Sequence, residues 1–119
     1  MVEQCMVVGE GQPFLAALVV LAHTPWVEFT KAQGLDPADP ANLAHPRLIR
    51  VLLRHLDSRL AKFPKYARIR RVHALLEPWT PENGLLTPTL KIRRKMLQER
   101  YAAQIEALYD RHVRAVNPH

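Results

Sequence analysis

The residues best suited to chemistry lie together in one stretch, "ENGLLTPTLKIRR", Glu82 to Arg94. It joins a turn pair to two threonines around a proline, then sets Lys91, Arg93, Arg94 and Lys95 where a helix is expected to begin. A helix start carries partial positive charge on N–H groups that lack partners, so crowding cations there costs stability unless an anion meets them. The Asn83-Gly84 pair reads as a tight turn, Thr87 before Pro88 is held extended, and Thr89 can turn its hydroxyl toward the coming helix. Lys91 is thus delivered from a stiff segment. A lysine displayed this way could place its ammonium between a carboxylate and a phosphate. The plain alternative is a helix entrance whose cations reach into water, with Lys95 and Glu99 pairing one helical turn apart.

A second basic group, Arg47, Arg50 and Arg54, recurs at helical spacing and reads first as a solvated face. Other chemistries find little support. There is no GxxxxGK[ST] phosphate loop, and no GxGxxG follows a strand. Histidines 23, 45, 55, 73, 112 and 119 are scattered without HxxxH spacing or cysteine partners, so no metal site is expected. Ser58, the sole serine, sits beside Asp57 in a helical stretch with no histidine in a useful register, and a nucleophile elbow is absent.

The elements that must position these residues follow from pattern. The 119 residues, 48% hydrophobic and 24% charged, suit one soluble globular domain with a single real core. Seventeen Lys and Arg against eleven Asp and Glu give a formal charge of +6, which favours anionic partners without choosing among them. Cys5, the lone cysteine, excludes an internal disulfide and reads as a small buried side chain. The longest apolar stretch, Phe14 to Ala22, is far short of the roughly 20 residues a membrane helix needs. Glu3 and Gln4 stand where a signal peptide would carry cations. A cytoplasmic setting is expected.

"VEQCMVV" and "FLAALVVL" are β-branched apolar runs separated by "GEGQP", which predicts a β-hairpin. Their nearly continuous apolarity predicts strands covered on both faces by helices. Thr24 is expected to cap a helix with Pro25 at its first position and Gly34 at its end, turning Trp26, Phe29 and Ala32 to the core. "LDPADPANLAHP" predicts a structured turn with at most one helical turn. Leu48, Ile49, Leu52, Leu53, Leu56 and Leu60 mark an amphipathic helix over about residues 45–62, with Pro64 beyond its end. "VHALLE" reads as a third strand. A last helix over about residues 93–113 would put Met96, Leu97, Tyr101, Ile105, Leu108 and Tyr109 on one side. The order β-β-α-α-β-α implies an α+β fold, a small sheet of short strands packed with three main helices, in a single domain spanning residues 1–119.

"VEQCMVVGEGQPFLAALVVL", "TPWVEFTKAQGL" and "ENGLLTPTLKIRRKMLQERYAAQIEALY" resemble the carboxy-terminal lid domain of the long-chain fatty-acid CoA ligases, in the adenylate-forming acyl-CoA synthetase superfamily. The resemblance runs through most of the chain, and "NGLLTPTLKIRR" is its most specific part. It implies an enzyme that activates a fatty acid with ATP and Mg2+ to an acyl-adenylate, then swings its small domain so that coenzyme A displaces AMP. Lys91 matches the family's catalytic lysine for the first half-reaction. Gly84, Thr87, Pro88 and Thr89 would shape the loop that presents it, and Arg93 and Arg94 would add secondary anion contacts.

The large preceding domain, with its ATP loop, acyl tunnel and hinge, is not in this sequence. The chain is therefore expected to be an excised lid, inert alone, binding no cofactor by itself and partnered by that domain. Membrane contact would belong to the full-length enzyme. Two further readings stand beside this one. A small basic module could bind nucleic acid through the arginine stripe, although Trp26, Phe29 and Phe63 occupy core-like positions and no nucleic-acid partner is expected. A lid-like adaptor could keep the fold and dock on another protein without catalysis.

Overall fold

The computed structural model describes residues 1–59 and 69–109. Strand β1 (Val2–Val8) and strand β2 (Leu15–Leu21) pair antiparallel, as the hairpin pattern predicts. Helix α1 (His23–Gln33), a 3-10 turn (Pro40–Ala44) and helix α2 (Pro46–Arg59) then carry the chain to β3 (Ile69–Leu75), which pairs parallel to β2. Helices α3 (Arg94–Arg100) and α4 (Ala102–Leu108) end the described chain. The fold is α+β in the expected order, with β2 at the centre of a three-stranded sheet.

The centre of the sheet explains the continuous apolar run. Successive side chains of a strand point to opposite faces. Ala16, Leu18 and Val20 accordingly pack with Trp79, Leu97 and Tyr101 on one face, while Ala17, Val19 and Leu21 pack with Trp26, Leu48 and Leu52 on the other. All six residues of β2 after Leu15 are buried. β1 is an edge strand and is covered less completely than its sequence suggests. Met6 and Val8 are buried, but Glu3 is exposed.

Helix α2 forms as its periodicity requires. Leu48, Leu52 and Leu56 recur at intervals of four and are buried, each burial contributing roughly 1.5–3 kcal/mol. Arg47, Arg50 and Arg54 lie on its exposed side, Arg47 donating to the Gln33 side chain. Leu60, Phe63 and Pro64, the end of this helix as expected from sequence, lie outside the described residues, as do Val113, His112 and His119.

Several boundaries differ from expectation. Helix α1 begins at His23, its N-cap is Ala22, and no side chain caps it. Pro25 falls in the first turn, where a missing N–H removes no helical bond, so the helix can start before Thr24. Gly34 ends it in the left-handed conformation at φ 69°. Ala32 is exposed, because Trp26 and Thr30, four apart, are the buried pair. The three-proline segment is fixed by Asp36 and Asp39, which accept from the N–H groups of Ala38 and Ala41. It is tied to α1 by the Trp26 indole donating to the Pro37 carbonyl at 3.2 Å.

β3 starts at Ile69, ahead of the "VHALLE" run, and stops at Leu75. The last helix is broken at Tyr101, whose φ of -108° interrupts it, although Tyr101 N–H still bonds Leu97 and Ile105 N–H bonds Tyr101. Arg93 caps this helix instead of starting it, and Met96 is 37% exposed.

Two titrating groups sit in the sheet. Burial pushes the Cys5 thiol up, with the Arg59 charge acting against it, so the thiol stays protonated and inert. His73 alternates with the buried Val72 and Ala74, and burial lowers it from its ordinary value of 6.5. Between that depressed value and 6.5 the unfolded chain binds more protons than the folded one, so stability rises with pH through the window. Stability should therefore fall as the pH drops below about 6.5, and His73→Gln should remove part of that loss. Urea midpoints of both chains at neutral and acidic pH measure it, and identical acid losses would refute the assignment.

Candidate functional site: a lysine on a closed hairpin arm

The segment that carries Lys91 is anchored before it projects. The Gln4 side-chain amide pairs with both backbone groups of Trp79, accepting from its N–H at 2.7 Å and donating to its carbonyl at 2.9 Å. Trp79 itself is 2% exposed. Next comes a knot of local bonds. Thr80 N–H donates to Asn83 Oδ1 at 3.0 Å, Asn83 N–H donates to Thr80 Oγ1 at 3.1 Å, and Asn83 Nδ2 reaches the Pro78 carbonyl. Gly84 completes the turn at φ 79°, a conformation that favours glycine. Leu85 and Leu86 then sink into the core at 2% and 7% exposure.

From those two buried feet rises a short antiparallel ribbon. Leu86 bridges Ile92, and Arg93 N–H bonds the Leu85 carbonyl at 3.0 Å. Thr87 closes the loop three times over. Its N–H donates to the Lys91 carbonyl at 2.8 Å, its carbonyl accepts from Leu90 N–H at 2.8 Å, and its Oγ1 accepts from Lys91 N–H at 3.0 Å. Pro88 occupies the second position of the turn, where its fixed φ fits. The hydroxyl that meets Lys91 is that of Thr87, not that of Thr89. Thr89 lies one step further out, with its Oγ1 3.1 Å from that of Thr87.

Leu90 is the one non-glycine residue with positive φ, 67°, among the described residues. It occupies the third place of a three-residue hairpin loop, which is left-handed and usually glycine. Leucine there costs roughly 1–2 kcal/mol.

Lys91 follows, exposed, and its ammonium makes no hydrogen bond or ion pair among the described residues. Its neighbours are engaged. Arg93 donates to the Gly84 carbonyl at 3.4 Å, and Arg94 donates to the Val7 carbonyl at the end of β1 at 2.6 Å. Lys95 and Glu99 do not pair, and the ion pair in this region joins Arg100 to Glu77 at 3.3 Å. Thr87, Pro88, Thr89 and Lys91 are therefore brought into one arm, Gly84 lies in the turn that precedes its base, and Arg94 is turned back to the sheet. The Arg47, Arg50 and Arg54 stripe lies apart, on α2.

The arm depends on residues that the sequence reading missed. Thr80 and Asn83 had a local signal, a polar pair three apart before a glycine. Gln4 had none, because it lies 75 residues from the backbone it holds. A cavity of about 690 Å³ opens elsewhere, lined by Gly9, Glu10, Gln98, Glu106 and Tyr109. Its two carboxylates suit it poorly to an anion, and the arm residues do not line it. No group of three or more His, Cys, Asp or Glu that could hold a metal occurs among the described residues.

Comparison with known proteins then identifies the class. Residues 1–113 match the family described as the AMP-binding enzyme C-terminal domain. The chain belongs to this family. Among curated relatives, the long-chain-fatty-acid–CoA ligase FadD15 of Mycobacterium tuberculosis is 30% identical over 115 residues, covering 93% of this chain and 19% of the relative. The peroxisomal long chain acyl-CoA synthetase 6 of Arabidopsis thaliana is 32% identical over 112 residues, covering 91% of this chain and 16% of the relative.

Among solved structures, the adenylation domain of a carboxylate reductase from Mycobacterium chelonae superposes with a TM-score of 0.68 at 27% identity, covering 91% of this chain and 15% of that one. The corresponding domain from Segniliparus rugosus, in complex with AMP and a co-purified carboxylic acid, gives 0.70 at 25% identity, covering 92% of this chain and 16% of that one. The chain thus spans under a fifth of the length of these relatives, and it is a C-terminal domain of the adenylate-forming acyl-CoA ligase family.

Replacing Thr87 by valine keeps the side-chain shape and deletes the acceptor for Lys91 N–H. The loss should be roughly 1 kcal/mol of local stability, read as about fivefold faster hydrogen exchange at the Lys91 amide. Unchanged exchange would show that the backbone bonds alone close the loop.

Proposed function

We propose that this chain, as a single domain, is the C-terminal lid of a long-chain fatty-acid–CoA ligase, and that it delivers Lys91 to a reaction centre in a large preceding domain. The observation that carries the reading is the state of one side chain. Lys91 stands exposed, with no ion pair or side-chain hydrogen bond among the described residues, on an arm whose backbone is closed by three bonds and footed in the core. The names of the relatives support the acyl chain class.

In the first half-reaction a fatty carboxylate oxygen attacks the α-phosphorus of ATP and pyrophosphate leaves. Two negative groups must approach each other. The Lys91 ammonium would sit between them, neutralising the carboxylate and the equatorial phosphate oxygens as charge develops. A rigid arm matters because a group already held in place loses little freedom on reaching the reacting atoms. Gly84, Thr87, Pro88 and Thr89 set the arm's shape. Arg93, whose bond to Gly84 is long, and Arg94 add positive field near the arm. In the second half-reaction the coenzyme A thiol attacks the acyl carbonyl carbon and AMP leaves, with the lid swung to another face.

Mg2+ would accompany the pyrophosphate oxygens and be held by the preceding domain. The net charge of +6 adds long-range attraction for all these anions. Among the described residues no helix is long and apolar enough to cross a membrane. Separately, we propose a cytoplasmic setting for the whole enzyme, with peripheral membrane contact.

The test uses the full-length enzyme that contains this chain. Lys91→Ala should slow adenylate formation on the order of a hundredfold or more, while transfer from supplied acyl-adenylate to coenzyme A largely survives. Equal loss in both half-reactions would contradict the role. The chain by itself, given ATP, Mg2+, palmitate and coenzyme A, should release no pyrophosphate above blank, and turnover would refute its being an incomplete enzyme.

A further inference from the structure

The residue before Lys91 raises a separate question. Among the described residues the other four positions with positive φ are all glycine: Gly9, Gly11, Gly34 and Gly84. At position 90 the same kind of backbone carries leucine, 67% exposed and outside both core clusters. Among the described residues neither core cluster includes this side chain, so its burial does not offset the strained conformation. Two more apolar groups stand nearby, Ile92 at 40% exposure and Met96 at 37%. Leu90 at the tip of the arm and Ile92 at its base, opposite Leu86, therefore bracket Lys91 in sequence.

We propose that Leu90, flanked by Ile92, is the apolar contact that seats the arm: it is buried against apolar lining at the mouth of the large domain's active-site cleft when Lys91 enters. This rests on the reading of Lys91 given above and adds a residue to it. Whatever receives the ammonium must also receive the side chains on either side of it. The chain spans 19% of a fatty-acid–CoA ligase relative, and the remainder of such a protein is the surface available to do so. Burying Leu90 would favour the closed position. It would also exclude water from around the ammonium, where attraction to a carboxylate and a phosphate is stronger than in bulk solvent. Leu90 is thus a positioning residue that acts through Lys91.

The test compares Leu90→Gly, Leu90→Asn and Leu90→Met in the full-length enzyme. Glycine relaxes the left-handed backbone, asparagine tolerates it while removing the apolar group, and methionine keeps an apolar chain. Glycine and asparagine should each lower kcat/KM for adenylate formation about tenfold, the scale set by burying a leucine side chain. Methionine should stay within about threefold of the parent, the smaller change expected for a volume-conserving apolar exchange. Transfer from supplied acyl-adenylate should be unchanged in all three, and the thermal midpoint of Leu90→Gly should be equal to or above that of the parent. Parent-like adenylation by both the glycine and asparagine variants, with Lys91→Ala still disabling, would overturn the seating role and leave the lysine reading intact. A harmless Lys91→Ala would overturn both. Loss confined to fatty acid presented on vesicles, and absent with acid carried by albumin, would assign Leu90 to a membrane surface and overturn its contact with the cleft.

Discussion

Three hydrogen bonds between Thr87 and the residues Leu90 and Lys91 are the constraint on which the arm of this domain depends. A lysine side chain has four flexible torsions, and on a mobile loop its ammonium would sample a large volume. Closing the loop at its own base leaves only the side chain free. Threonine suits the position because its hydroxyl supplies an acceptor where the backbone has already used both of its groups. Proline at the next position fixes φ without needing a donor. The turn therefore costs little extra entropy to form, since Pro88 removes alternatives from the unfolded chain as well.

A closed loop is useful only if its base does not move, and the base is fixed by the sheet face that carries Trp79. Leu85 and Leu86 enter the same cluster as Leu18, Val20, Leu97 and Tyr101. The small side chains of Ala16 and Ala17 at the start of β2 let layers approach from both sides. The Gln4 amide then registers the Trp79 backbone against β1, making the segment before the arm behave as an added strand without ladder pairing. Arg94 repeats the device from the other side of the arm by bonding Val7. Both ends of the arm are therefore tied to β1, an edge strand.

What was legible in the sequence follows from which forces are local. The leucine spacing of α2, the hairpin of β1 and β2 and the stop at Gly34 each depend on neighbours within a turn or a strand, and each appears where expected. β3 was read late because its first residues, Ile69, Arg70 and Arg71, look like a charged loop. Arg71 is half-buried instead, with its guanidinium 5.6 Å from the centroid of the Phe14 ring, so a cation occupies a place that pattern assigns to apolar groups. The break at Tyr101 was invisible for a different reason. Its helical hydrogen bonds persist, and only the dihedrals of Tyr101 depart from the helix, which periodicity does not encode. Within the arm, the lysine and its turn were legible from residue type. Thr87 was expected to help shape the loop, but its hydroxyl bond to Lys91 N–H and the left-handed backbone of Leu90 were not legible, because both depend on how the loop closes and not on any one residue type.

The cations crowded at the start of α3 differ in their partners. An arginine has five donors in a planar fork and remains charged while bonding a neutral carbonyl, so it can be tethered to backbone without losing its charge. Arg93 and Arg94 do this at Gly84 and Val7. A lysine presents a compact, strongly hydrated ammonium that gains less from a single exposed carbonyl. Among the described residues the Lys91 ammonium has no partner, while its neighbours hold the arm on which it stands. The repulsion among these groups is also reduced by geometry, since Arg94 turns back to the sheet and α3 is only seven residues long, with a correspondingly small dipole. The positive charge near the arm is therefore divided between holding and presenting, and the group left to present is the lysine.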